Sequence, residues 1–206
     1  MKIMICVPCM DQVPAQFAQS LATLNKVEEC SIAFQMGSLI YNARNYLATM
    51  AIKNEIDYVL WLDSDMTFPP DLLQRLYEDR DKGDIITGIY YRRVAPYRPV
   101  LFDHLVITDD GGCEWTNLDE YPEGLFEIEG CGFGCVFMPT NIFMDVANKF
   151  GNMFSPFGGV GEDLSFCWRA RQCGYNIVAD SSIQCGHVGH YTVDKQFYEA
   201  YQKGKK

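Results

Sequence analysis

A chain of 206 residues, 48% of them hydrophobic, suits one α/β domain with a full core and leaves little room for a second. Its formal net charge of -10 argues against a general nucleic-acid-binding surface. No apolar segment approaches the roughly 20 residues of a membrane span, and the run from Ile3 to Pro8 has only strand length, so neither a spanning helix nor a signal peptide is expected.

Lys2 to Val7 reads as a buried strand ending in Pro8, followed by a helix from Pro14 to Leu24 and a second strand from Cys30 to Phe34. Ser38 is placed to cap a helix from Leu39 to about Lys53, whose apolar face is Leu39, Ala43, Leu47, Met50 and Ala51. A central strand, Tyr58 to Leu62, stops at Asp63-Ser64-Asp65. A helix from Pro70 to about Arg80 then leads into a strand from Ile85 to Tyr90. This alternation predicts a mainly parallel sheet with helical crossovers. Pro96 to about Phe126 breaks into β-prone pieces, with a hairpin expected between Val100–Thr108 and Cys113–Thr116. Regular structure resumes with a strand from Cys135 to Met138 and a helix from Thr140 to Lys149. The glycine loop Phe157–Gly161 delivers Glu162-Asp163 to a helix closed by Gly174. A strand from Tyr175 to Ala179, the segment Cys185–His190 and a short helix after Val193 complete the chain.

Nine cysteines are an odd set, scattered through predicted strands and helices, which favours a reducing cytoplasmic setting over a secreted disulfide scaffold. Cys6/Cys9 and Cys131/Cys135 together have the ligand count of a zinc site, but Cys6 and Cys135 sit inside apolar runs where a thiol acts as a small hydrophobe. The cluster Tyr90-Tyr91-Arg92-Arg93 remains a local phosphate-contact candidate despite the acidic balance.

Asp63 and Asp65 lie at the carboxyl end of a central strand, where open α/β sheets bind ligands. Hard oxygen donors so close together point to Mg²⁺ or Mn²⁺ bridged to phosphate oxygens. The competing reading makes them caps of the next helix, but Pro69-Pro70-Asp71 gives that helix its own start.

Four pieces in sequence order, Ala43-Arg44-Asn45, Asp63-Ser64-Asp65, Glu162-Asp163 after a glycine loop, and His187-Val188-Gly189, resemble the GT-A fold glycosyltransferases, close to the family-2-like enzymes that use nucleotide-diphosphate sugars. The resemblance runs from the first strand to His187. It implies a single Rossmann-like α/β domain over 1–206 with a small β insertion, residues 1–92 forming the nucleotide half and 93–206 the acceptor side with the metal-site histidine. The implied activity is metal-dependent, hexosyltransferase-like transfer from a UDP- or GDP-linked sugar to an unspecified acceptor hydroxyl.

By the same resemblance Asp65 binds Mn²⁺ or Mg²⁺, Asp63 reaches sugar, ribose or metal, and His187 completes the metal shell with His190 in reserve. Nitrogen ligation would favour Mn²⁺. Pro8, Arg44 and Ser64 fall at the nucleotide contacts. The family's base-reading acid after the second strand is absent, and Gln35 stands there instead. Asp163, with Glu162 beside it, is expected to take the acceptor's proton; its structural reading is a first-turn acid favouring the helix dipole. Gly130, Gly132 and Gly134 are read either as clearing space for a sugar or as turn formers, and Trp115 and Trp168 as sugar platforms, with core packing preferred for Trp168.

Three other functions are weighed, of which a nucleotidyltransferase on the same fold is disfavoured because the loop from Pro8 to Pro14 lacks the glycine- and arginine-rich character of that class. Asp63-Ser64-Asp65-Met66-Thr67 also spells the nucleophile motif of haloacid-dehalogenase-like phosphatases, although that motif normally occupies the first core strand. A non-catalytic nucleotide-sugar-binding module would keep the cleft without the transfer.

Overall fold

The apolar runs at residues 3–7, 59–62, 85–89 and 135–138 become strands buried on both faces, and the amphipathic segments between them become the helices that cover the sheet. The structure is a computed structural model that describes residues 1–27, 29–189 and 192–204. In chain order the first half comprises β1 (Ile3–Cys9), α1 (Ala15–Thr23), β2 (Cys30–Met36), α2 (Ile40–Lys53), β3 (Tyr58–Leu62), β4 (Met66–Thr67), α3 (Leu72–Glu78) and β5 (Ile85–Ile89). Then follow β6 (Leu101–Ile107), β7 (Cys113–Asn117), β8 (Leu125–Ile128), β9 (Gly130–Cys131), β10 (Cys135–Pro139), α4 (Asn141–Phe150) and α5 (Glu162–Gln172). The chain closes with β11 (Ile177–Gln184), β12 (Gly186–Val188), β13 (Thr192–Val193) and α6 (Lys195–Lys203).

A seven-stranded sheet in the order β2-β1-β3-β10-β5-β11-β8 organises the molecule. β1 pairs in parallel with β2 and β3, and β5 in parallel with β11, but β10 runs antiparallel to both β3 and β5, and β8 antiparallel to β11. The sheet is therefore mainly parallel with one reversed strand at its centre. That reversal departs from a simple alternating parallel order. Because β10 descends from the β insertion rather than from a helix on the sheet's face, it enters from the opposite end. One strand from residues 93–206, β10, thus sits between two strands from residues 1–92, β3 and β5.

Side-chain alternation along β3 feeds two cores. Val59 and Trp61 join Leu47, Ala51, Phe143, Phe154 and Phe166 beneath α2, α4 and α5, while Leu60 and Leu62 join Phe17, Leu72 and Leu76 beneath α1 and α3. Cys6 and Cys131 belong to the first core and Cys135 to the second, so the four thiols weighed as zinc ligands do not converge. The β6–β7 hairpin forms where the sequence places it, and β9 adds to its other edge.

Two helix starts differ from expectation. α2 begins at Ile40 with Leu39 in the capping position, and no side chain caps it; Ser38 turns its hydroxyl elsewhere. α3 begins at Leu72, two residues later than the proline pair suggests, because the Pro70 carbonyl accepts a hydrogen bond from the Asn25 amide. The last helix follows the sequence closely, with the Asp194 side chain accepting from the Phe197 amide at its N-cap.

Candidate functional site

At the carboxyl ends of β1 and β3 lies a cleft of about 350 Å³, lined by Pro8, Cys9, Met10, Ser38, Ile40, Ala43, Asp63, Ser64, Asp65, Arg93 and His187. The sheet order explains its position, since the Asp63-Ser64-Asp65 turn leaves β3 next to the end of β1. Pro8, Asp63, Ser64, Asp65 and His187 are thus gathered around one cleft. His190 lies outside the described residues.

A short second sheet delivers His187. β12 pairs antiparallel with β4, setting His187 opposite Met66 and Gly186 opposite Thr67, and the Val188 amide donates to the Asp65 carbonyl at 2.7 Å. This approach needs glycine at 186: a Cβ there would stand 2.4 Å from Thr67 Oγ1 and 2.7 Å from Thr192 Cγ2. The ring is fixed by Nδ1, 2.9 Å from the Tyr91 carbonyl oxygen. A carbonyl only accepts, so Nδ1 carries the proton and Nε2 is directed at Asp65 Oδ2, 3.5 Å away. An imidazole tied to a backbone carbonyl through one nitrogen, with the other facing a carboxylate, is the disposition found in metal-ligating histidines. Ser38 adds an unsatisfied polar group, its Oγ buried at the cleft wall with no hydrogen-bond partner. Among the described residues no three His, Cys, Asp or Glu side chains form a complete cation cage.

Asp65 also receives Arg93, whose Nη1 lies 2.9 Å from Oδ2 and donates to the Val188 carbonyl at 3.3 Å. Burial pushes the Asp65 carboxyl up, but His187 and Arg93 together outweigh it and hold the pKa below its ordinary value. Arg93 was legible only as one of a basic-aromatic cluster; nothing local tied it to Asp65.

Arg44 is placed differently from the nucleotide contact expected of it. It is 2% exposed, lies behind the cleft over the Trp61 and Phe133 rings, donates from Nη2 to Asp63 at 2.8 Å and from Nε to Glu162 at 3.0 Å. Its Nη1 is buried without a partner. Burial works against the cation, yet Asp63 and Glu162 raise its pKa above the ordinary value. For Asp63 burial is the largest influence and raises the carboxyl pKa, opposed by Arg44 and reinforced by Asp65. These two shifts pull in opposite senses on one pair; the short contact and the persistent charge of a guanidinium favour the ion pair.

Glu162 and Asp163 open α5, Glu162 turned to Arg44 and Asp163 accepting at Oδ1 from the Leu164 amide at 2.8 Å. Burial, then the neighbouring Glu162 charge, pushes the Asp163 carboxyl up to about 6. Neither acid lines the cleft between β1 and β3; Arg44 links them to it. Gln35 is also off the cleft wall, its amide donating to the Met36 carbonyl at 3.2 Å.

The glycines before β10 clear space for the protein itself. A Cβ at Gly132 would stand 2.0 Å from the Tyr90 hydroxyl, and one at Gly130 2.9 Å from Leu164 Cδ2, so these positions hold no room for a sugar. Trp168 packs against Phe150 and Phe157, as core packing predicts, whereas Trp115 is exposed on β7 away from the cleft.

Comparison with known proteins adds likenesses of sequence and of fold. The family model described as Anp1 matches residues 31–104, the stretch that carries Arg44, Asp63-Ser64-Asp65 and Arg93. The solved structure titled "Crystal Structure of A197 from STIV" superposes with a TM-score of 0.66 at 18% identity, covering 92% of this chain and 86% of that one. That likeness is one of fold, the GT-A type of α/β architecture with a large, mostly parallel sheet flanked by helices. No curated protein matches the chain.

Proposed function

We propose that the chain is a metal-dependent glycosyltransferase that moves a sugar from a UDP- or GDP-linked donor to an acceptor hydroxyl. The GT-A fold and the Anp1 match over residues 31–104 support a glycosyltransferase-type activity. The observation that carries the metal-nucleotide reading is the pairing of His187 Nε2 with Asp65 Oδ2 at the end of β3, with the other ring nitrogen committed to the Tyr91 carbonyl.

In this reading Asp65 and His187 hold the cation, Mn²⁺ in preference to Mg²⁺ because one ligand is nitrogen. A cation so held supplies Lewis-acid stabilisation of the departing diphosphate. Pro8, Ser64 and Ser38 line the nucleotide side, and Asp63, kept in place by Arg44, faces the sugar or ribose. Gln35 would read the base with its amide oxygen and the N–H not given to the Met36 carbonyl. Asp163 accepts the acceptor's proton as the new C–O bond forms and the bond to the diphosphate oxygen breaks, the electron pair leaving with the diphosphate. Its raised pKa suits a base that must be mostly ionised yet basic near neutral pH. Glu162 anchors α5 to Arg44.

A cytoplasmic location is part of this proposal, resting on nine free cysteines; among the described residues no helix is long and apolar enough to cross a membrane. The phosphatase reading gains nothing from the geometry, since its would-be nucleophile, Asp63, is engaged by Arg44. The test is a thermal-shift screen of nucleotides and nucleotide-sugars with and without Mn²⁺. A shift that needs both Mn²⁺ and one nucleoside diphosphate, absent in Asp65→Ala, is expected. Absence of a shift with every nucleotide would overturn the reading.

A further inference from the structure

Two arginines of opposite character flank the cleft, Arg93 on its wall and Arg44 behind it. Arg44 is enclosed by aromatic rings and bound to two carboxylates, so it has nowhere to go. Arg93 has a side chain 48% exposed, belongs to no helix or strand, and among the described residues is held by one carboxylate oxygen and one backbone carbonyl. Its loop is closed on itself by bonds from the Arg92 amide to the Arg98 carbonyl and from the Tyr97 amide to the Val94 carbonyl. The side chain can therefore rotate within the cleft without the loop unfolding.

Asp65 Oδ2 is the point of conflict. Arg93 Nη1 sits 2.9 Å from it and His187 Nε2 3.5 Å from it, so the guanidinium occupies ground that a cation held by Asp65 and His187 would need. A guanidinium and a divalent cation on one oxygen would repel each other. An ion pair whose arginine side is open to solvent, as here, is weak enough to be exchanged, and a planar guanidinium matches phosphate oxygens as well as it matches a carboxylate.

We infer that Arg93 is an exchangeable partner of Asp65: it covers the carboxylate while the cleft is empty and transfers to the diphosphate of the nucleotide when a divalent cation takes its place. The inference rests on the metal-nucleotide reading and adds a residue that reading does not contain. Its consequence is coupling. A cation arriving alone must displace Arg93 with no anion to receive it, and a diphosphate arriving alone meets a guanidinium already engaged and two aspartates of its own sign. Arriving together, they exchange partners with Arg93 and Asp65. Each ligand should then strengthen the other's binding by the same factor, about 5–150-fold for couplings of ordinary size.

The experiment measures binding without turnover. Mn²⁺ alone is titrated by loss of its free-ion electron paramagnetic resonance signal, and UDP and GDP are titrated by calorimetry with and without Mn²⁺. The proteins are wild type, Arg93→Ala, Arg93→Lys and, as a control for the metal site, Asp65→Ala, each checked first for an unchanged melting curve. Arg93→Gln replaces the alanine variant if that one fails to fold.

Arg93→Ala is expected to bind Mn²⁺ alone several-fold tighter than wild type, to bind the Mn²⁺–nucleotide pair at least about tenfold more weakly, and to lose most of the coupling. Arg93→Lys, keeping the charge but not the fork, should recover part of it. A purely structural tie between the loop and β12 would weaken Mn²⁺ binding or leave it unchanged, and that result overturns the exchange while leaving the metal-nucleotide reading intact. If wild type and Arg93→Ala both ignore Mn²⁺ but only wild type binds nucleotide, Arg93 stands permanently in place of a metal and the exchange is wrong. If no protein binds Mn²⁺ or nucleotide, the functional reading itself fails.

Discussion

Arg44 and Glu162 are 118 residues apart in sequence and meet at 3.0 Å through Nε and Oε1. The same guanidinium holds Asp63 at 2.8 Å. One buried side chain thus sets the distance between the turn after β3 and the first turn of α5, the two places where the chain concentrates carboxylates.

Arg44→Met should therefore leave Asp63 and Glu162 without their counter-charge in a largely enclosed site. Breaking a buried pair from one side costs about 3–5 kcal/mol, which urea denaturation will read as a lowered midpoint. Arg44→Lys, with a point charge that cannot serve both acids, should fall between wild type and Arg44→Met. An Arg44→Met protein with wild-type stability would show that the linkage is incidental.

Asp65→Ala and His187→Ala should each abolish or sharply weaken Mn²⁺-dependent stabilisation by a nucleoside diphosphate while leaving the unliganded melting temperature nearly unchanged. His187→Ala also frees the Tyr91 carbonyl, which water can satisfy. Equal Mn²⁺-dependent shifts in the variants and the wild type would remove both residues from the metal site.

Asp163→Asn should spare nucleotide binding and reduce transfer on the order of 10²–10⁴-fold, the usual contribution of a positioned base. In the wild type, turnover should rise with pH through about 6 as this carboxyl ionises. Stability has the opposite slope. An ordinary aspartate titrates near 3.8, so between that pH and about 6 the folded chain holds a proton that the unfolded chain has lost. Stability from this residue falls as pH rises across that window and stays lower above it. Asp163→Asn should lack that decline, and a wild-type slope in the variant would assign it to another group.

Gly132→Ala places a methyl group 2.0 Å from the Tyr90 hydroxyl. Overpacking of this kind costs about 1–3 kcal/mol. The double variant Gly132→Ala/Tyr90→Ala should lose less than the sum of the single changes, because one clash is then absent. Strict additivity would mean that the loop moves aside instead.

Much of this arrangement was readable in the sequence because it depends on local patterns. Tyr58–Leu62 is apolar and ends abruptly at an aspartate turn, and Glu162-Asp163 follows a glycine loop; both fell where helix and strand rules put them. What escaped was set by distant partners. Ser38 has the chemistry of an N-cap, but its hydroxyl is drawn to the cleft wall. Arg44 has the look of a surface helix arginine until Glu162 arrives from the far end of the chain. Gly130 and Gly132 give no sign of which side chain fills the space beside them, and Arg93 reaches Asp65 only because β12 and the loop after β5 converge. The reversed direction of β10 was equally invisible, since an apolar strand reads the same both ways.

The reversed strand also orders events in time. β3 and β5 have no common neighbour until residues 135–139 slot between them, and β11 cannot lie beside β5 before the last third of the chain exists. During synthesis the aspartate turn is made early but stays unsupported on one flank, and Arg44 waits for Glu162 until residue 162 has emerged. A ribosome-bound fragment ending near residue 130 should thus expose an incomplete sheet edge, the kind of surface that holding chaperones cover.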